Sequence, residues 1–173
     1  MAAPIGLFYG STTGNTESVA DLIAENIGFD KIDRIDIAAD GLDGLSDYQY
    51  LILGIPTWDF GELQEDWADL WEIVENANVA GKTCAVFGLG DQIGYGEWFL
   101  DAMGLLHDLL KAQGAEMVGY WPIEGYSFDA SKALTEDGRQ FVGLAIDEDC
   151  QHGETLARVE QWSQQVLAEF DML

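Results

Sequence analysis

The chain has 173 residues, of which 48% are hydrophobic, 12% aromatic and 23% charged, a composition that suits a folded domain with a sizeable core and excludes a disordered chain. Seven Lys plus Arg against 32 Asp plus Glu leave a formal charge of −25. Nucleic acid and anionic lipid would repel such a molecule, so a protein partner is expected to be basic. The two cysteines, Cys84 and Cys150, make no disulfide framework, and neither they nor His107 and His152 have metal-ligand spacing. Met1 to Pro4 lead into Ile5 without the basic start and long apolar run of a secretory signal, and no run reaches membrane-spanning length. These features predict a cytoplasmic monomer with no membrane insertion and no bound metal.

In chain order, short apolar runs alternate with segments of helical spacing, the pattern of strand–helix units on a mostly parallel sheet. The spacing predicts strands at Ile5–Tyr9, Lys31–Ile37, Tyr50–Ile55, Thr83–Gly88 and, as the start of a fifth, Met117–Tyr120. Several lack strict alternation because both faces would be buried. It predicts helices over Thr16–Ile27, Leu63–Val74, Trp98–Ala112 (with Phe99, Met103 and Leu106 on the apolar face) and Glu154–Phe170. Residues 121–139 break the alternation with Pro122, Gly125 and Gly138 before a new strand-like run, Phe141–Ile146. This segment is expected to be an insertion in the fifth strand of one domain spanning 1–173.

In a doubly wound sheet ligands bind beyond the carboxyl ends of the strands, so the loops there are the candidates for chemistry. The first, Ser11, Thr12, Thr13, Gly14, Asn15 and Thr16, follows the first strand and opens a helix. Its hydroxyls, amide and backbone N–H groups suit an anion, and equally suit a helix cap. It lacks the terminal Lys of a nucleoside-triphosphate loop and the three glycines of a dinucleotide loop. The second loop, Pro56–Gly61, holds Thr57, Trp58, Asp59, Phe60 and Gly61; its aromatics either stack on a planar ligand or cap the end of the sheet. The third, Leu89–Gly96, holds Gly90, Asp91, Gly94, Tyr95 and Gly96, where glycine allows close approach of backbone to a flat ring. Asp91 there is an acceptor or a solvated turn residue, and Tyr95 a stacking ring or a loop anchor.

Together the motifs Ser-Thr-Thr-Gly-Asn-Thr at 11–16, Pro-Thr-Trp at 56–58 and Gly-Asp-Gln-Ile-Gly-Tyr at 90–95 closely resemble the flavodoxins along the whole chain. Residues 125–134 and 141–149 resemble the long-chain branch of that family. The resemblance implies a flavodoxin-like α/β fold: a five-stranded parallel sheet in the order 2-1-3-4-5 with helices on both faces and FMN at the switch point. It implies that Ser11 to Thr16 hold the FMN phosphate, that Trp58 and Tyr95 lie on opposite faces of the isoalloxazine, and that Asp91 and the backbone at Gly90 meet its polar edge. It further implies a peptide flip between Asp59 and Phe60 upon reduction. With no glycine there, a turn needing a positive φ should be strained.

The implied function is that of a low-potential one-electron carrier, not an enzyme, with no catalytic residue of its own. It would cycle between the semiquinone and hydroquinone of non-covalently bound FMN and stand in for ferredoxin. Charge supplies a physical reason. One carboxylate at about 6 Å from a reduced, anionic ring, with an effective dielectric near 20, costs roughly 2–3 kcal/mol, on the order of 100 mV for a one-electron couple. The acidic rim Asp59, Glu62, Glu65, Asp66 and Asp69 would face basic redox proteins; the resemblance implies ferredoxin–NADP reductase, photosystem I or nitrogenase. The alternative is an FMN-dependent NAD(P)H:quinone or nitro reductase on the same fold, for which few basic residues are on offer. A receiver domain is excluded by hydroxyls and Pro-Thr-Trp where it needs acidic residues.

Overall fold

A computed structural model describes residues 3–173, so Met1 and Ala2 of the expected 1–173 domain and of its N-terminal start lie outside the described residues. The first strand, β1 (Ile5–Tyr9), is buried at every position because both faces of the sheet are covered there. It is followed by α1 (Asn15–Ile27), whose Val19, Ala20, Ile23, Ala24 and Ile27 form the buried face, and which ends at Gly28 with φ 109. Next comes β2 (Ile32–Asp36), an edge strand protected by Asp33, Arg34 and Asp36. Asp36 ends it and caps the short helix α2 (Ile37–Asp40) by accepting from the Ala38 N–H at 3.0 Å. Ile37 therefore belongs to a helix and not, as its apolar character suggests, to the strand.

Strand β3 (Tyr50–Trp58) runs past the expected end at Ile55 and turns back on β4 (Glu62–Leu63), pairing Thr57 with Leu63 and Trp58 with Glu62. Helix α3 (Glu65–Glu75) starts where the Gln64 side chain accepts from the Trp67 N–H, so Leu63 lies on a strand and not in that helix. Trp67 is fully buried and its indole donates to the Gly54 carbonyl at 2.8 Å, fixing α3 to the sheet. Strand β5 (Thr83–Leu89) and helix α4 (Asp101–Ala112) follow.

The fifth rail of the sheet is divided. Strand β6 (Glu116–Val118) pairs with Thr83 to Ala85 of β5, and β9 (Leu144–Ile146) pairs with Phe87 to Leu89. Between them the chain leaves the sheet through β7 (Trp121–Pro122) and returns through β8 (Gln140–Phe141), paired antiparallel. Phe128 and Tyr126 of the excursion pack with Phe99 and Phe141 at centroid separations of 5.1–6.0 Å. Helix α5 (Thr155–Glu169) closes the chain, with Trp162 donating to the Gly119 carbonyl.

The sheet order is β2-β1-β3-β5-β6, all parallel, which is the expected 2-1-3-4-5 with β9 continuing the fifth position. Because the order reverses after β1 and parallel crossovers are right-handed, α1 lies on the face opposite α3 and α4. Helix α5 packs on α1. The reversal opens a crevice at the carboxyl ends of β1 and β3. No described helix is long and apolar enough to cross a membrane.

Candidate functional site

A cleft of about 340 Å³ lies at that crevice, within the size range of small-molecule sites. The loop after β1 supplies Thr12, Thr13, Asn15 and Thr16; the end of β3 supplies Thr57, Trp58 and Asp59; the loop after β5 supplies Gly90, Asp91 and Tyr95. Of the other expected residues, Ser11, Gly14, Phe60 and Gly61 are not in its wall. The Ser11 hydroxyl accepts from the Gly14 N–H at 3.1 Å, closing the loop on itself. Gly14 has φ 94 with open space around it, so the conformation and not the room demands glycine. Phe60, 66% exposed, lies edge-on to Trp98 at 4.9 Å, and Gly61 forms the turn against Asp101 with φ 88.

The N-terminus of α1 is the polar end of the cleft. Its N-cap residue is Gly14, no side chain caps it, and the first-turn N–H groups have no partner within the helix. Those donors and the hydroxyls of Thr12, Thr13 and Thr16 form a neutral set for an anion, strengthened by the helix dipole. The Thr12 hydroxyl is steadied by the Gln64 amide at 3.0 Å. Among the described residues no Lys or Arg lines the cleft.

At the other end stand Trp58 and Tyr95. Trp58 lines the cleft, and its indole N–H is buried without a hydrogen-bond partner, a costly arrangement. Asp59 adopts φ 47, so the positive φ expected to be strained without glycine is taken by Asp, a residue that tolerates it better than most. The Thr57 hydroxyl accepts from the Ala102 N–H at the start of α4, which ties the end of β3 to that helix.

Four carboxyl groups line the cleft: Asp59, Asp91, Glu148 and Asp149. Asp91 turns toward its own loop, its Oδ1 accepting from the Ile93 and Gly94 N–H groups at 3.0 and 2.7 Å and from the Cys150 thiol at 3.3 Å. Burial pushes its carboxyl up, but the Gly94, Cys150 and Ile93 donors together hold it below the usual value. Asp149 is raised, by burial first and then by Asp91, Asp147 and Glu148. Pro56 and Leu89, which open the second and third loops, also line the wall, as do Glu148 and Asp149, which were not among the expected site residues. The signal for the two acids was available: they follow a strand-like run, at the same end of the sheet as the other loops.

Cys84 is buried in β5, and burial pushes its thiol up to about 12. Cys150 is exposed, its thiol raised to about 11 by desolvation and by Asp91 and Asp147. Asp91, Asp147 and Cys150 bring ligand-type atoms within 4.8 Å of one another, but donors from the protein already engage the carboxyl oxygens. Neither histidine joins that group: His107 is buried against Asp108 and Tyr120, and His152 pairs with Glu148.

A family model described as flavodoxin matches residues 7–162. Flavodoxin 2 of Escherichia coli is 49% identical over 165 residues, covering 95% of each chain. A Nostoc flavodoxin is 46% identical over 172 residues, covering 99% of this chain and all of its own. Among solved structures, Fusobacterium nucleatum flavodoxin bound to flavin mononucleotide superposes with a TM-score of 0.89 at 29% identity, covering 95% of this chain and 97% of that one. With a sequence match along nearly its whole length and the same overall fold, this chain belongs to the flavodoxin family.

Proposed function

We propose that residues 1–173 form one FMN-binding domain that carries single electrons between redox proteins. The observation that carries the reading is an uncapped helix N-terminus at one end of a cleft whose other end is lined by the aromatic rings of Trp58 and Tyr95. FMN matches both ends, with a phosphate for the N–H groups and hydroxyls and a flat heteroaromatic ring for Trp58 and Tyr95. When bound, it supplies the one-electron chemistry that no side chain here can.

The chain's own residues bind, orient and tune. Thr12, Thr13, Asn15 and Thr16 hold the phosphate, while Ser11 and Gly14 keep their loop in shape. Trp58 and Tyr95 sandwich the ring and exclude water, and the backbone at Gly90 approaches its edge. The Asp59–Phe60 peptide offers a hydrogen bond there. Asp59, Glu148 and Asp149 oppose the accumulation of negative charge on the ring, which drives the last reduction step to low potential.

Anaerobic stepwise reduction of the FMN-loaded protein tests this. Two well-separated one-electron steps, the second far below the first, are expected; a single two-electron step near the free-flavin value would overturn it. The reductase alternative needs a second, nicotinamide-binding subsite, and among the described residues no Lys or Arg lines the cleft to form one. The purified protein alone should not oxidise NAD(P)H steadily.

Partners meet the exposed edge of the site. Asp59, Glu62 and Glu65 are exposed near it, whereas Asp66 is half-buried and accepts from the Gln64 amide at 2.7 Å. Asp69 lines a separate groove with Asp43 and Glu72. Basic redox proteins of the kinds implied, ferredoxin–NADP reductase, photosystem I or nitrogenase, suit this acidic border, and binding there is expected in the cytoplasm.

A further inference from the structure

We propose that Asp147 and Gln92 are positioning residues for the loop that carries Tyr95, and that through Gln92 the inserted segment 121–139 holds that loop ready for the cofactor. The proposal rests on the reading of the cleft as the FMN site. Its starting point is a carboxyl group in an unusual place. Asp147 is fully buried, and no Lys, Arg or His pairs with it among the described residues. It is satisfied instead by four N–H donors. One oxygen accepts from the backbone N–H and the side-chain amide of Gln92 at 3.0 and 2.8 Å; the other accepts from the N–H groups of Asp149 and Cys150 at 3.1 and 2.9 Å.

Those donors come from two loops that both line the cleft. Gln92 lies between Asp91 and Tyr95, and Asp149 lines the cleft from the neighbouring loop after β9. A single buried carboxyl thus ties the Tyr95 loop to the turn after β9, and the Cys150–Asp91 hydrogen bond repeats the tie nearer the surface. Gln92 is itself only 4% exposed, and its amide oxygen accepts from the Ser127 N–H of the insertion at 2.5 Å.

The insertion continues to grip the same stretch. The Gly96 carbonyl accepts from the Asp129 and Ala130 N–H groups at 2.8 and 2.9 Å, the Phe99 N–H donates to Ala130, and the Lys132 N–H donates to Asp101. This support reaches the part of the loop that packs least: Tyr95 is 42% exposed, so little packing holds its ring. Ordering the loop during folding removes that entropic cost from cofactor binding.

The test compares wild type with Gln92→Met, which removes the amide but keeps volume and the backbone N–H, and with Ser127→Pro, which removes the donor on the insertion side at an exposed residue. Backbone hydrogen exchange of the cofactor-free proteins should accelerate at least about tenfold at residues 93–98 and stay unchanged in α1 and α3, an effect of local opening. In the loaded proteins FMN should dissociate several-fold faster, and the visible circular dichroism of the bound flavin should change. Thr135→Val, at the far turn of the insertion, should match wild type in every readout. The proposal is overturned if both variants keep wild-type loop exchange and FMN dissociation, or if exchange accelerates evenly along the chain. Failure of wild type to bind FMN would remove the site reading instead, while loop exchange would still judge the brace.

Discussion

Trp58 and Thr16 illustrate what single residues contribute at the two ends of the cleft. Removing the indole removes both the stacking face and the orphaned N–H, so Trp58→Ala should weaken FMN by about tenfold or more and raise the second midpoint potential; fluorescence titration and potentiometry measure the two effects. Thr16 is buried at the start of α1, and Thr16→Val keeps its shape while deleting the hydroxyl. A hydrogen bond to a charged group contributes roughly 1.5–3 kcal/mol, so FMN affinity should fall by about tenfold or more, whereas riboflavin, without the phosphate, should bind the variant as it binds wild type. Asp91 carries a pH signature. Its donors hold the folded carboxyl below the unfolded value, so its stabilisation is complete above that unfolded value, about 4, and is lost as pH falls through the folded one. Asp91→Asn should therefore lower stability at pH 7 and flatten its decline below about pH 4 in urea unfolding of the cofactor-free protein.

At the scale of elements, periodicity identified β1, α1, β3, α3, β5, α4 and α5, because each has a face or a run that only burial explains. Its errors share one cause. Phe99 has the spacing of the α4 apolar face but lies before the helix, which starts after Leu100 in a left-handed conformation (φ 60); Phe99 is buried instead against Phe128 and Phe141 around the insertion. Trp58 reads from the sequence as a loop residue, yet it pairs with Glu62 in a short hairpin that depends on the turn at Asp59 to Gly61. Both depend on partners distant in the chain or on a backbone turn, not on local period. Helix α4 also meets the insertion at close range. A Cβ on Gly104 would stand 2.3 Å from the Lys132 carbonyl oxygen, so Gly104→Ala should displace the insertion and cost about 1–3 kcal/mol, visible as a lower melting temperature.

For the whole molecule, the charge of −25 acts on stability and on association with opposite signs under salt. Self-repulsion destabilises the compact chain, so raising ionic strength from about 10 to about 200 mM should raise the melting temperature. The same screening should slow association with a basic redox protein, and Glu65→Lys should lower that rate at low salt while weakening its salt dependence. Stopped-flow mixing across the salt series checks both.

By itself the sequence determined the layer architecture, the three loops that meet at the crevice and the sign of the molecule's field. Each depends on local periodicity, on loop residues read in order, or on a simple count of charges. Tertiary structure alone decided which of those loop residues face the cleft, that Asp91 turns into its own loop, and that Glu148 and Asp149 complete the wall. It also decided that a buried carboxyl without a cation joins the insertion, the Tyr95 loop and the turn after β9. The reason is physical: these residues are far apart in the chain, and hydrogen bonds between them form only once the sheet has brought its carboxyl ends together.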